Sequence, residues 1–139
     1  MVRRVGRRRA VWEVGAIAAT LATVGTVLIY ALATLQQVSF RMPLQPGAEP
    51  APLPVGMVIV TSLAAAGLAA ITFSFARRFP RRGLRAFQIA GAAFLLLSLS
   101  APLGLQGADT PTKTALVLMH IVAGVSILAV FGRLGEARQ

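Results

Sequence analysis

The sequence has no cysteine, one histidine, one lysine and only four acidic residues in 139. Without cysteine, disulfide bonds, thiolate metal sites and thiol redox chemistry are excluded. One histidine and four scattered acids cannot supply a conventional zinc site, and haem held by two histidines of one chain is excluded too. Only haem ligation by His120 and a methionine is formally left. No glycine-rich phosphate loop and no nucleophile–base pair is present, so we expect no cofactor, no metal and no enzyme activity.

Charge is scarce as well. Charged residues make up 13% of the chain and hydrophobic residues 56%, whereas a soluble domain usually has about 25% charged residues. The net charge of +10 would suit nucleic acid only if basic residues covered a soluble face that also carried base-reading side chains. Here the arginines flank apolar runs instead, so we expect no nucleic-acid partner and a lipid bilayer as the surrounding medium.

Four apolar runs of about 20 residues fill most of the chain. Each is long enough to cross a hydrocarbon core of about 30 Å as a helix, since a helix rises 1.5 Å per residue. The pattern predicts an all-α, polytopic four-helix membrane bundle forming a single domain. The predicted helices cover residues 11–35, 55–75, 86–105 and 112–133, with loops at 36–54 and 76–85.

The distribution of arginine predicts the orientation of these helices. Twelve of the fourteen basic residues lie before the first helix, between the second and third, or at and beyond the end of the fourth. The other two, Arg41 and Lys113, lie in the first connection and at the start of the fourth helix. By the positive-inside rule, both termini and the loop 76–85 are expected in the cytoplasm of a bacterium, with the chain in its inner membrane. The proline-rich loop 36–54 is then a semi-rigid strap on the outer surface.

Four short segments, which fall into two groups, resemble a known family. They are Ala76-Arg77-Arg78-Phe79-Pro80-Arg81-Arg82 with the following Phe94–Leu103 segment, and Thr112-Lys113 with Leu118-Met119-His120-Ile121-Val122-Ala123-Gly124. Together they resemble a family of four-helix bacterial membrane proteins, found mainly in actinobacteria and classed as domain of unknown function six thousand and sixty-nine. The resemblance covers about residues 55–133, and the first helix matches only in general character. It implies the architecture and no activity.

A thin polar layer is predicted in the outer third of the bundle, with His120 at its centre. His120 lies seven residues past Lys113, about 10 Å into the fourth helix. Hydroxyl side chains on the other helices fall near the same level: Thr26, Thr61, Ser62 and Ser98. An ionisable residue at this depth usually faces protein or a water-filled cavity. The alternatives are a binding or proton-handling site and an ordinary interhelical hydrogen bond, of which we favour the second.

The basic loop also has two interpretations. Its arginines either contact anionic lipid headgroups, at about 1 kcal/mol each near a charged surface, or only fix the topology. These arginines are Arg77, Arg78, Arg81, Arg82 and Arg85.

No site in the sequence is convincing enough to define a reaction. The leading hypothesis is a non-enzymatic integral membrane protein that acts as an accessory, scaffold or lipid-interacting subunit, with itself or another membrane protein as partner. The alternative is a small oligomeric carrier or channel that uses the polar site around His120. A continuous wet cavity reaching His120 would favour the second hypothesis.

Overall fold

The structure is a computed structural model that describes residues 10–43, 45, 47–79 and 82–136, without the side chains of 135 and 136. Arg81 of the basic loop and Pro46 of the strap lie outside these ranges. The elements in chain order are α1 (Val11–Leu35), β1 (Arg41–Met42), β2 (Ala51–Pro52), α2 (Val55–Ala76), α3 (Gly83–Ser98), α4 (Ser100–Leu103) and α5 (Thr110–Glu136).

Four helical segments of the described chain are long and apolar enough to cross a membrane: α1, α2, α3 continued by α4, and α5. Their outward faces carry large apolar side chains, such as Leu96 and Leu97, which are 70% and 71% exposed. Apolar surfaces of this extent are stable in hydrocarbon and not in water. The predicted all-α four-helix membrane architecture is confirmed.

The four spans form a ring in which the side between α2 and α3, here called the weak side, is the least closely packed. The most extensive contacts of α1 are with α2 and α5, and α3 packs mainly on α5. The contact between α2 and α3, which closes the ring, is the smallest of the four. Close packing of α3 on α5 depends on Gly91 and Gly124, because a Cβ at either position would overlap the side chain of Leu128 or Leu95, respectively. Small residues at helix crossings allow such an approach in membranes.

The end of the bundle that carries Arg77, Arg78, Arg82 and Arg85, here called the basic end, is closed by three phenylalanines. Phe73 of α2, Phe87 of α3 and Phe131 of α5 are all buried, with ring centroids 5.0–5.5 Å apart. These distances and tilted planes are typical of favourable aromatic packing. This aromatic trio joins α2, α3 and α5 at the basic end.

The opposite end, here called the strap end, is covered by the chain between α1 and α2. Arg41 and Met42 pair antiparallel with Pro52 and Ala51 in a two-residue ribbon. Phe40, which is 2% exposed, stacks on Tyr30 of α1 with ring centroids 4.7 Å apart. The Tyr30 hydroxyl donates a hydrogen bond to the Leu53 carbonyl at 2.9 Å. The strap is therefore fixed to the helix ends by both apolar packing and hydrogen bonds.

The third span differs in detail from the predicted helix 86–105. It starts earlier, at Gly83, and is interrupted at Leu99 before the short α4. Pro102 explains the interruption, because proline has no N–H to donate to the Ser98 carbonyl and its ring crowds that carbonyl.

The last helix starts at Thr110, two residues before the predicted start. Asp109 caps it: its carboxylate accepts a hydrogen bond from the Thr112 amide at 2.9 Å, as side chains at this position commonly do. The hydroxyl and the amide of Thr112 both lower the pKa of the Asp109 carboxyl below its usual range. A carboxylate here also suits the positive end of the helix dipole.

Candidate functional site

A cavity of about 660 Å³ lies along the weak side of the ring, between α2 and α3, with α5 as its back wall. Its size is within the range of about 300–1,000 Å³ that is usual for small-molecule sites. The aromatic trio bounds it at the basic end through Phe87, and Met42 and Leu53 of the strap line it at the other end. The cavity therefore extends along much of the bundle.

All five residues of the predicted polar layer line this one cavity. Thr26 lies on α1, Thr61 and Ser62 on α2, Ser98 on α3 and His120 on α5. The sequence placed them at one depth by helix rise alone, and the packing of the four helices brings them around one space. The geometry locates the layer and leaves its function to be tested.

Thr26 and Ser62 form a hydrogen-bonded pair between α1 and α2. Their hydroxyl oxygens are 3.0 Å apart, and the two residues are 3% and 5% exposed. Each hydroxyl also lies close to a carbonyl of its own helix, that of Ala22 at 3.0 Å for Thr26 and that of Val58 at 2.8 Å for Ser62. One hydroxyl can donate across the interface while the other donates to its own carbonyl, so both protons are used within the protein.

The remaining hydroxyls that line the cavity bond to their own helices. Thr61 donates to the Met57 carbonyl at 2.8 Å, Thr72 to the Leu68 carbonyl at 2.9 Å, and Ser98 to the Leu95 carbonyl at 2.7 Å. Such bonds to the preceding turn are common for Ser and Thr within helices. They leave oxygen lone pairs, not O–H groups, available to the cavity.

His120 is half-buried in the back wall of the cavity. Its Nδ1 lies 2.8 Å from the carbonyl oxygen of Leu116, one turn earlier in α5. A carbonyl oxygen can only accept, so this hydrogen bond places the proton of the neutral ring on Nδ1. The other nitrogen, Nε2, then presents a lone pair, and within the described part of the chain no side chain or backbone group bonds to it.

The rest of the cavity wall is apolar, and its mouth opens sideways between α2 and α3. Leu68 on α2 and Phe94 on α3 line the cavity and are 53% and 62% exposed. Ala65 and Ala90 are also exposed and leave the mouth wide. Among the described residues that line the cavity, none is an arginine, lysine, aspartate or glutamate. The mouth opens on the outer surface of the bundle. Because this surface is apolar, the medium around it is indicated to be hydrocarbon.

Sequence reasoning missed several parts of this site. Met42 and Leu53 come from the strap, and no sequence pattern signals that a proline-rich loop folds back onto a cavity. Phe73, Phe87 and Phe131 come from three helices, and nothing in their spacing along the chain indicates that they meet. The one available signal was the pair Phe87 and Phe94, seven residues apart, and both of these do line the cavity.

The described arginines of the basic end lie away from the cavity. Arg77, Arg78, Arg82 and Arg85 are all exposed, and Arg81 is outside the described residues. The guanidinium carbon of Arg78 is 4.9 Å from the centre of the Phe75 ring, a cation–π arrangement. These cations stand at the end of the bundle, at the level where lipid headgroups begin if the four helices cross a bilayer.

Fold and site together define a polytopic four-helix membrane protein with a lateral, mostly apolar cavity. The chain belongs to the family of unknown function DUF6069, whose model matches residues 6–137. The match includes the first helix, so it extends further than the resemblance seen in residues 55–133. No curated protein matches the chain, and no solved structure does so either.

Proposed function

We propose that this protein is a non-enzymatic, lipid-interacting membrane protein that holds an apolar chain of a membrane lipid in the cavity between α2 and α3. One observation carries the proposal: the cavity is lined by apolar side chains and opens sideways at the depth of the spans. A lipid chain would enter it without crossing water and would cover the exposed edges of Leu68 and Phe94.

The proposed setting is the inner membrane of a bacterium, with both termini and the basic end in the cytoplasm. The asymmetric arginines support this orientation. The exposed guanidinium groups of Arg77, Arg78, Arg82 and Arg85 would contact anionic headgroups there. A lipid held in the cavity would serve an accessory or scaffold role, either in a homo-oligomer or beside another membrane protein.

The proposal is tested by native mass spectrometry of the protein released from membranes in mild detergent. Ala90→Phe puts a ring into the mouth of the cavity, and Ala93→Phe adds the same ring to α3 at an exposed position that does not line it. We expect bound lipid on the wild type and on Ala93→Phe, and several-fold less on Ala90→Phe. Equal lipid retention by the two variants, or a wild type without lipid, would refute the proposal.

A small oligomeric carrier is the second candidate function. The cavity reaches from the strap to Phe87 near the basic end and has the ionisable His120 in its wall, which favours this candidate. The aromatic trio closes the basic end, so transport would require Phe73 and Phe87 to separate. Proton or solute flux in liposomes that is abolished by His120→Phe would support a carrier, and absence of flux would support the first proposal.

A further inference from the structure

The polar side chains of the described residues that line the cavity share one property: each presents hydrogen-bond acceptors and none presents a free donor. The five lining hydroxyls, those of Thr26, Thr61, Ser62, Thr72 and Ser98, have their protons on backbone carbonyls or on each other. To turn one of these protons toward a ligand would break an existing hydrogen bond. In an apolar setting that exchange gains little, because one hydrogen bond is lost for each one that is formed.

His120 adds the strongest acceptor. The bond from Nδ1 to the Leu116 carbonyl at 2.8 Å leaves Nε2 as a bare lone pair in the neutral ring. The cavity-lining methionines Met42, Met57 and Met119 contribute thioether sulfurs, which are weak acceptors at most. A ligand that only accepts hydrogen bonds, such as a ketone, an ether or an ester, would leave Nε2 without a partner after water has been displaced.

The charge of the lining residues further limits the classes of ligand that the cavity can bind. None of the described residues that line the cavity is an arginine, lysine, aspartate or glutamate. A phosphate or carboxylate head would therefore lose its hydration without gaining a counter-ion, and burial of an unpaired charge is strongly unfavourable. The basic residues that could compensate stand at the end of the bundle, outside the cavity.

We propose that the ligand of this cavity is an uncharged amphiphile whose head carries a hydroxyl group, and that this hydroxyl donates its hydrogen bond to Nε2 of His120. Long-chain alcohols and mono- or diacylglycerols belong to this class. The inference rests on the proposed function, since it names the head group of the lipid that the cavity holds. It also gives His120 a binding role beyond a contact within its own helix.

The test compares three probes with the same alkyl chain and a photoactivatable diazirine in mid-chain: an alcohol, its methyl ether and the corresponding carboxylate. Each is added at equal mole fraction to the full-length protein in lipid nanodiscs at pH 8 and irradiated, and labelled peptides are mapped. We expect the alcohol to label residues around the cavity roughly three- to tenfold more than the ether, the range that one hydrogen bond of ordinary strength provides. The carboxylate is expected to label least.

Two variants assign the preference to His120. His120→Phe keeps a planar ring and removes Nε2, so the alcohol and the ether should label it equally. Thr114→Val on the same helix removes an exposed hydroxyl that does not line the cavity and should keep the preference. The comparison of the three probes on the wild type needs no variant. It tests whether the cavity prefers a hydroxyl head group even if His120→Phe does not fold.

The outcomes distinguish a failure of the hydroxyl inference from a failure of the proposed lipid-binding function. Equal labelling by alcohol and ether, or stronger labelling by the ether or the carboxylate, would overturn the hydroxyl inference and leave lipid binding intact. Failure of all three probes to label the cavity walls, with cross-links to a second protein chain in their place, would overturn the proposed function as well.

Discussion

The hydroxyl groups of Thr26 on α1 and Ser62 on α2 approach to 3.0 Å inside the bundle and connect two helices at the edge of the cavity. Both residues are almost fully buried. The pair fixes α1 against α2 at the level of His120, while α2 and α3 remain apart on the other side. The same polar layer that stabilises one helix contact therefore lines the open side of the ring.

The Thr26–Ser62 contact should contribute a modest coupling energy. Hydrogen bonds between membrane helices average about 0.6 kcal/mol, because unfolded helices in the membrane also find partners. A double-mutant cycle with Thr26→Val and Ser62→Ala, read by reversible unfolding in mixed micelles, should give about that value. Combining Ser62→Ala with Thr20→Val, whose hydroxyl bonds only within α1, should give no coupling. Zero coupling for the first pair would contradict the geometry.

Gly83 should be intolerant of a side chain. A Cβ at this position would overlap the carbonyl group of Ala76, which is backbone and cannot move aside. Gly83→Ala should therefore lower the free energy of unfolding by about 1–3 kcal/mol, as overpacking usually does. The control is Gly67→Ala on α2, where a Cβ meets open space and better helix propensity should stabilise by roughly 0.5–1 kcal/mol. Equal effects of the two substitutions would be inconsistent with the close turn between α2 and α3.

Tyr30 should hold the strap in place through its hydroxyl. Tyr30→Phe keeps the ring that stacks on Phe40 and removes the 2.9 Å hydrogen bond to the Leu53 carbonyl. Hydrogen exchange followed by mass spectrometry should show faster exchange of the Leu53 amide, which donates to the Phe40 carbonyl. The middle of α1 should exchange as in the wild type. Unchanged exchange in the strap would mean that apolar packing alone secures it.

The predicted orientation can be tested cleanly because the chain has no cysteine. Single-cysteine variants at two exposed positions, Ala48→Cys in the strap and Arg82→Cys at the basic end, report opposite faces of the membrane. An impermeant maleimide added to intact cells should label Ala48→Cys and should label Arg82→Cys only after lysis. The reverse pattern would overturn the orientation, and labelling of both positions in intact cells would contradict four complete spans.

Much of the fold could be predicted because hydrophobic length and arginine position are local signals. A run such as residues 55–75 reports its own helix without reference to any neighbour. The break at Leu99 also has a local signal, because Pro102 removes one helical hydrogen bond, but that signal does not say whether the helix kinks or is interrupted. The start of α3 at Gly83 is not predicted from the sequence, because Arg82 and Arg85 are typical of a loop. In the structure the turn that follows Ala76 is close, and α3 begins within the arginine-rich segment.

The candidate site was predictable only in part, for a related reason. Helix rise gives the depth of a residue, so His120 and Ser62 could be placed in one layer. Rotation about the helix axis and the order of helices around the ring come from packing, which one sequence does not state. The cavity lies where α2 and α3 are less closely packed than the other neighbouring helices, and no local pattern encodes that incomplete contact.

Lipid occupancy of the cavity is tested most directly by nuclear Overhauser effects between lipid acyl-chain protons and protein methyl groups in nanodiscs. Ala123 and Leu128 belong to the back wall of the cavity and are only partly exposed, whereas Leu96 and Leu97 face outward. Our account predicts lipid contacts at all four residues in the wild type, and loss of those at Ala123 and Leu128 in Ala90→Phe. Contacts confined to Leu96 and Leu97 in the wild type would contradict it.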